Sequence, residues 1–338
     1  MRDLSLAVVG ATGAVGRTMV GILEERAFPV GSLRLMASSR SAGTEVETRW
    51  GAVKVEDLAE ADPNGVDLAL FSAGGDRSRQ FAGSFVEAGS VVIDNSSAFR
   101  MEPGVPLVVV GVNDYAARSH QGVIANPNCT TMTLMMVAGP LHRAAGLAAM
   151  VATSYQAVSG SGQQGVDELI RQTDAMRPDV EGMERGGWED PGSELYGRPI
   201  GFNVLPLVGT LTDDGYTDEE MKLVNESRKI LGTPDLAVEP TCVRVPVMTG
   251  HAVAASLWFR RPVSVAEVSS ILDEAPGVQV WADQVPTPLD SAGRDEVLVG
   301  RVRPTLGEAG GINLWAVGDN LRKGAALNAV QIAEFLLL

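Results

Sequence analysis

Cysteine and histidine are scarce in this chain: two and three residues among 338. Two cysteines cannot build a disulfide framework, so a reducing cytoplasm is the expected compartment. Met1 to Val9 runs into a strand with no signal-peptide pattern. No apolar run reaches the roughly 18 residues of a membrane span, so no membrane partner is expected. Positive charge is short as well. Lys and Arg number 27 against 42 Asp and Glu, a net charge of −15, which argues against nucleic acid. In such a field, cations meant for an anionic ligand should be clustered locally. What the chain has is 45% hydrophobic residues, enough for the cores of two domains.

The opening reads as strand, glycine turn, helix. Leu4 to Val9 is apolar; Gly10-Ala11-Thr12-Gly13-Ala14-Val15-Gly16 follows; Arg17 to Arg26 is helix-like. That order opens a dinucleotide-binding unit, with backbone N–H groups at the helix start facing a pyrophosphate. The plainer reading is a tight turn with no ligand. A second strand, Ser32 to Ala37, ends in Ser38-Ser39-Arg40-Ser41. A carboxylate for the ribose hydroxyls is missing there, and hydroxyls with a guanidinium suit a 2′-phosphate, which favours NADP over NAD.

Val66 to Ser72, Val91 to Asp94, Leu107 to Val110 and Val123 to Ala125 read as further strands, with a helix over Ser78 to Ala88. The alternation predicts an α/β fold with a doubly wound, Rossmann-type parallel sheet. After Cys129 the pattern changes. Val151 to Ala157, Leu236 to Val247 and Ala252 to Phe259 are long β-branched stretches. Helical patterns intervene at Gly165 to Arg177, Thr217 to Leu231 and Val265 to Glu274. An α+β unit with a largely antiparallel sheet is expected there. Asn320 to Leu338 reads as one amphipathic helix returning to the first unit, and Asp179 to Gly201 as a loop or lid. The expected division is residues 1–127 with 320–338, and residues 128–319.

Asn126-Pro127-Asn128-Cys129-Thr130-Thr131 sits where a helix should open. A thiolate there is stabilised by the helix dipole and free N–H groups, making Cys129 a candidate nucleophile; a packed, inert thiol is the alternative. Its partner would be His251, in a turn bounded by Pro246 and Gly250, since His120 and His142 read as surface residues. Arg244, seven residues before His251, stands among valines and needs an anionic partner: a structural carboxylate, or a substrate carboxylate gripped by the planar fork. Gln156 ends a strand before Ser159-Gly160-Ser161-Gly162, a loop able to line a cofactor or supply oxyanion donors. Arg100 follows the strand Val91 to Asp94, near the crevice of a doubly wound sheet. Lys222, by spacing alone, belongs to a solvated helix face.

Together these segments resemble aspartate-semialdehyde dehydrogenase of the bacterial, phosphorylating type. Further matching stretches are Asp94 to Arg100, Tyr155 to Gly160, Glu219 to Lys222, Arg244 to His251 and Asp319 to Ala325. The resemblance implies NADPH-dependent reduction of L-aspartyl 4-phosphate to aspartate 4-semialdehyde and phosphate, through a Cys129 thioester, feeding lysine, methionine and threonine biosynthesis. It implies Cys129 as nucleophile, His251 as acid/base and Gln156 as orienting residue. Arg244 and Glu219 would hold the carboxylate and ammonium of the substrate, with Asn128 beside them. Arg100 and Lys222 would bind phosphate. Gly10, Thr12, Gly13, Ala14, Val15, Ser38, Ser39, Arg40, Ser159, Gly160 and Asn320 would contact NADP. No metal is implied, and a homodimer or homotetramer is. The competing readings are N-acetyl-glutamyl-phosphate reductase, which usually carries Gly-Cys in place of Asn-Cys, a non-catalytic NADP-binding paralogue, and a Cys/His hydrolase or acyltransferase, against which the glycine turn argues.

Overall fold

Buried β-branched runs joined through helices dictate the first half of the molecule. The computed structural model describes residues 4–307 and 310–337. Strand β1 (Leu4–Val9) is flanked by β2 (Val30–Ala37) and β5 (Leu68–Phe71), both parallel to it. The sheet continues to β6 (Val91–Asp94) and β7 (Val123–Ala125) on one side. On the other lies β4 (Gly51–Asp57), with β3 (Glu45–Thr48) as its antiparallel edge. Helices α1 (Ala14–Glu25) and α2 (Gly75–Glu87) connect parallel neighbours, as a βαβ unit requires. The predicted Rossmann-type sheet is therefore present; the β3–β4 hairpin was not foreseen.

Leu107 to Val110 is a correction. It is not a strand, and only Leu107 bridges to Ala125. The amide side chains of Asn113 and Asn328 take the N–H groups of Val109 and Val110, so no ladder can form.

Helix α3 (Cys129–Ala145) is buried nearly all round, as its Met- and Leu-rich sequence requires of a helix between two layers. It leads into a six-stranded sheet ordered β11-β12-β13-β10-β8-β9, formed by β8 (Leu147–Gln156), β9 (Ala237–Arg244), β10 (His251–Phe259), β11 (Val278–Val280), β12 (Val297–Pro304) and β13 (Gly311–Gly318). The three central pairings are antiparallel, while β8·β9 and β11·β12 are parallel. One face packs on α3, α6 (Asp218–Leu231) and α7 (Val265–Asp273). On the other face Val151 is exposed, and Ala254, Ser256 and Trp258 are half-buried.

The expected loop at 179–201 begins as helix α5 (Val180–Arg185), capped by Asp179, and is irregular only beyond it. The expected single helix from Asn320 is a turn, a π-helical stretch over Arg322–Ala326 and then an α-helix, Leu327–Leu336; Leu338 lies outside the described residues. Asp319 accepts the N–H groups of Leu321 and Arg322, which holds the turn and delays the helix. Leu327, Val330 and Ile332 pack with Leu6, Met19 and Leu23 in the core of the first sheet, as expected of a returning helix.

Candidate active site

Parallel pairing of β8 and β9 brings their C-terminal ends to one edge, and their last residues, Gln156 and Arg244, are register partners. Antiparallel β10 begins at that edge with His251, next to Ala252, which faces Tyr155. Gln156, distant in sequence, is thereby placed beside Arg244 and His251. Cys129, the first residue of α3, closes the group. Asn128 caps this helix, accepting the N–H groups of Thr130 and Thr131.

His251 is fully buried, not exposed on a turn. Its Nδ1 accepts the Ala157 N–H at 3.1 Å, which puts the ring proton on Nε2. That Nε2 is buried and has no partner among the described residues. Burial, reinforced by the Arg244 guanidinium, drives the imidazole down to about 3. Arg244 is also buried, donating Nη1 to the Ala157 carbonyl at 2.8 Å; its Nε has no partner. No carboxylate among the described residues forms an ion pair with it. Gly160 lies against both groups. A Cβ there would stand 3.1 Å from Arg244 Nη1 and 3.2 Å from His251 Nε2.

The expectation of a stabilised Cys129 thiolate is overturned. Burial, followed by the negative charge of Glu219, pushes the thiol up to about 11. The favourable influence of Arg100, Arg244 and the Thr130 N–H is smaller. The resting pair is a neutral thiol and a neutral imidazole. Cys242 is wholly buried on β9, with its thiol at about 12.

Helix α6 delivers the remaining charged groups. Thr217 and Glu220 form its capping box. Glu219 accepts from Asn128 Nδ2 at 3.0 Å and from Gln156 Nε2 at 3.3 Å, while Lys222 reaches it at 3.1 Å. Lys222 also pairs with Asp218 at 2.8 Å. Burial works against its ammonium, yet the two carboxylates outweigh it and hold Lys222 above the ordinary lysine value. Arg100 bonds Glu226 at 3.0 Å and the carbonyls of Asn126 and Asn95.

Glu226 was missed in the sequence. It is almost wholly buried and holds both Arg100 and the Asn128 N–H, the latter at 2.7 Å. The signal was present: Glu219, Lys222 and Glu226 recur at i, i+3 and i+7 on one helix face. Asn126 has a structural role of its own. Its amide bonds the side chains of Asn95 and Asn328, tying the cysteine segment to the C-terminal helix.

A cavity of about 310 Å³ runs from Cys129 and Arg100 to the glycine turn, with Gln156, Arg244 and His251 behind its lining. Gly13, Ala14 and Val15 line one wall; Arg100, Asn128, Cys129, Ser159, Gly160 and Asn320 line the rest. Asn320 is fixed there by the Gly250 N–H and by Ser159 Oγ. A Cβ at Gly324 would be 3.1 Å from Cys129 Cβ, so the π-helical stretch also roofs the cysteine. A neighbouring cavity of about 370 Å³ is lined by Gly10, Thr12, Gly13, Ser38, Arg40, Ser41 and Arg77. Ser39 is exposed and absent from that lining.

These residues fit a dinucleotide. At Gly10 φ is +87°, and an added Cβ would stand 2.2 Å from Ser72 O. Gly13 caps α1 without a side-chain hydrogen bond, leaving the helix N–H groups free for a pyrophosphate.

Two family models match the chain. Residues 5–120 match the family described as semialdehyde dehydrogenase, NAD binding domain. Residues 138–323 match semialdehyde dehydrogenase, dimerisation domain. The chain is 52% identical to the aspartate-semialdehyde dehydrogenase of Streptomyces akiyoshiensis, over 98% of both. The Vibrio cholerae aspartate semialdehyde dehydrogenase II complexed with ASA superimposes with a TM-score of 0.94 at 43% identity, covering 100% of this chain and 99% of that one. The Candida albicans aspartate semialdehyde dehydrogenase with NADP gives 0.74 at 26% identity, covering 99% and 98%. Sequence, fold and site geometry thus agree, and the chain belongs to the aspartate-semialdehyde dehydrogenase family.

Proposed function

We propose that this protein reversibly reduces L-aspartyl 4-phosphate to L-aspartate 4-semialdehyde with NADPH, through a thioester on Cys129. One observation carries the reading. A buried guanidinium with no ion-pair partner among the described residues and a buried imidazole Nε2–H with no partner lie against Gly160, which lines the same cavity as the helix-opening Cys129. Groups left so unsatisfied beside a cavity are expected to find their partners in a ligand.

In the oxidative direction, Cys129 Sγ adds to the aldehyde carbon, and the thiol proton goes to the new oxygen. His251 presents Nε2–H to that oxygen as charge develops on it. Arg244 grips the substrate carboxylate, Glu219 takes the ammonium, and Gln156, bonded to Glu219, orients the reacting carbon. A nicotinamide held beside Gly13, Ala14, Val15 and Asn320 would supply the acceptor for the carbon-bound hydrogen as hydride, with the hydroxyl proton passing to water. Phosphate then attacks the thioester carbon, and the thiolate leaves. Arg100 uses three of its five N–H donors on Glu226, Asn126 and Asn95, so two remain for phosphate. Lys222 joins it by turning from Asp218.

NADP is the cofactor in this reading, supported by Arg40, Ser38 and Ser41 in a cavity whose lining holds no carboxylate. The Candida relative is titled with NADP. Residues 1–127 with 320–338 form the cofactor-binding unit and residues 128–319 the catalytic one. The half-buried outer face of the second sheet makes a homodimer, within a matched family description that names dimerisation. Such an enzyme works in the cytoplasm and supplies lysine, methionine and threonine synthesis. The test is reduction of NADP by purified protein with L-aspartate semialdehyde, followed at the nicotinamide absorbance. Phosphate-dependent turnover that vanishes in Cys129→Ser, with NADPH binding intact, is the expected result. Turnover without phosphate, or activity surviving in the serine variant, would overturn it.

A further inference from the structure

Tyr196 belongs to the 179–201 stretch, which the chemistry above leaves unused. Its ring lies under the Arg244 guanidinium, with the guanidinium carbon 5.7 Å from the ring centroid, inside cation–π range. It packs with Val158, Leu169 and Ile200. The phenol oxygen is buried without a partner. Gly165 leaves it room, since a Cβ there would stand 2.6 Å from that oxygen.

The stretch is anchored more firmly than its composition suggests. Glu168, buried on α4 (Gln163–Met176), accepts from Ser193 Oγ and from the N–H groups of Glu194 and Leu195. Gln172, wholly buried one turn later, accepts the Ile200 and Gly201 N–H groups and donates to the Gly192 carbonyl. The two side chains clamp the segment on either side of Tyr196. An interior carboxylate and amide satisfied by loop backbone hold one loop conformation in place.

Arg244 needs such a support. Its one side-chain hydrogen bond among the described residues, to Ala157, fixes an edge of the guanidinium and leaves rotation of the plane open. A two-pronged grip on a carboxylate depends on that plane. We propose that Tyr196 is the positioning residue for this grip: stacked beneath Arg244 and held by the Glu168–Gln172 clamp, it sets the enzyme's preference for a substrate bearing a carboxylate. The inference rests on the reading that Arg244 receives the substrate carboxylate.

The test compares wild type, Tyr196→Phe and Tyr196→Leu on L-aspartate semialdehyde and on 3-aminopropanal, which keeps the ammonium and lacks the carboxylate. Wild type should prefer the first; absence of that preference would refute the Arg244 reading itself. Tyr196→Leu should raise KM for aspartate semialdehyde about 3- to 30-fold, the span of a cation–π contact between partial and full desolvation. Its KM for phosphate and NADP, and its kcat/KM on 3-aminopropanal, should stay within about twofold, a selectivity that loss of folded protein cannot produce. Tyr196→Phe retains the ring and should behave as wild type. A phenylalanine variant as impaired as the leucine variant, or equal losses on both aldehydes, would overturn the proposal.

Discussion

Replacing Glu219 with glutamine removes a negative charge that works against ionisation of Cys129. The carboxylate is one hydrogen bond from the Asn128 side chain, and Asn128 adjoins Cys129 in the chain. For the interaction to escape screening, charge and sulfur lie within about 8 Å of each other. At an effective dielectric near 20, unit charges at that distance interact by about 2 kcal/mol. Lys222, which already pairs with Glu219, cancels part of this. About one pKa unit should remain, and its sign is downward, because losing a neighbouring anion favours the thiolate. At pH 8 the thiolate fraction then rises about tenfold, while nucleophilicity falls about threefold with the lower basicity, so alkylation should quicken about threefold. The assay is the rate of iodoacetamide labelling at Cys129, read by mass spectrometry of its peptide. Cys242, buried and at about 12, should stay unlabelled in the folded protein and serves as the internal reference. An unchanged or slower rate, with Cys242 still protected, would refute the assignment of Glu219 as the charge that restrains the thiol. The same logic makes the substrate's ammonium an activator: by neutralising Glu219 on binding, it should bring the thiol into reach of ionisation.

Arg244→Lys replaces a planar fork by a point charge and should raise KM for aspartate semialdehyde about 10- to 100-fold; an unchanged KM would remove Arg244 from the substrate. Arg40→Ala should narrow the preference for NADP over NAD by about tenfold in kcat/KM, the worth of one charge-assisted contact; an undiminished ratio would place the 2′-phosphate elsewhere. The folded pKa of His251, about 3, lies below its ordinary 6.5. The unfolded chain therefore binds the extra proton between those values, and the stability that neutral His251 contributes is complete above about 6.5 and lost as pH falls toward 3. Between pH 7 and pH 5, urea unfolding of wild type should lose about 2 kcal/mol more than that of His251→Gln; parallel losses would refute the burial argument.

The parts legible in the sequence were those whose chemistry is contiguous. The glycine turn is a backbone requirement met within seven residues, and Cys129 is capped by its own neighbour. Arg244 and His251 were legible as a short motif, although only β-sheet register shows why they meet Gln156. The helix-face spacing marks Glu226 as sharing a side with Glu219 and Lys222, but neither it nor Tyr196 names its partner locally, because Arg100 lies 126 residues from Glu226 and Arg244 lies on another element. Leu107 to Val110 has the composition of a strand, but the N–H groups of Val109 and Val110 go to two asparagine side chains, one of them more than 200 residues away. The ionisation of Cys129 was misjudged because a helix terminus can be read from sequence, whereas the desolvation of the thiol and, after it, the charge of Glu219 cannot.

The C-terminal helix has a consequence for the making of the protein. Leu327, Val330 and Ile332 complete a core whose other members, among them Leu6, Leu35 and Leu70, leave the ribosome near the beginning. At ordinary synthesis rates the first sheet waits on the order of 10–40 s for its final layer, exposing apolar surface while the intervening chain is made. A nascent chain in this state is a natural client for a chaperone, and a message truncated before residue 327 would yield an aggregation-prone product even with every catalytic side chain present.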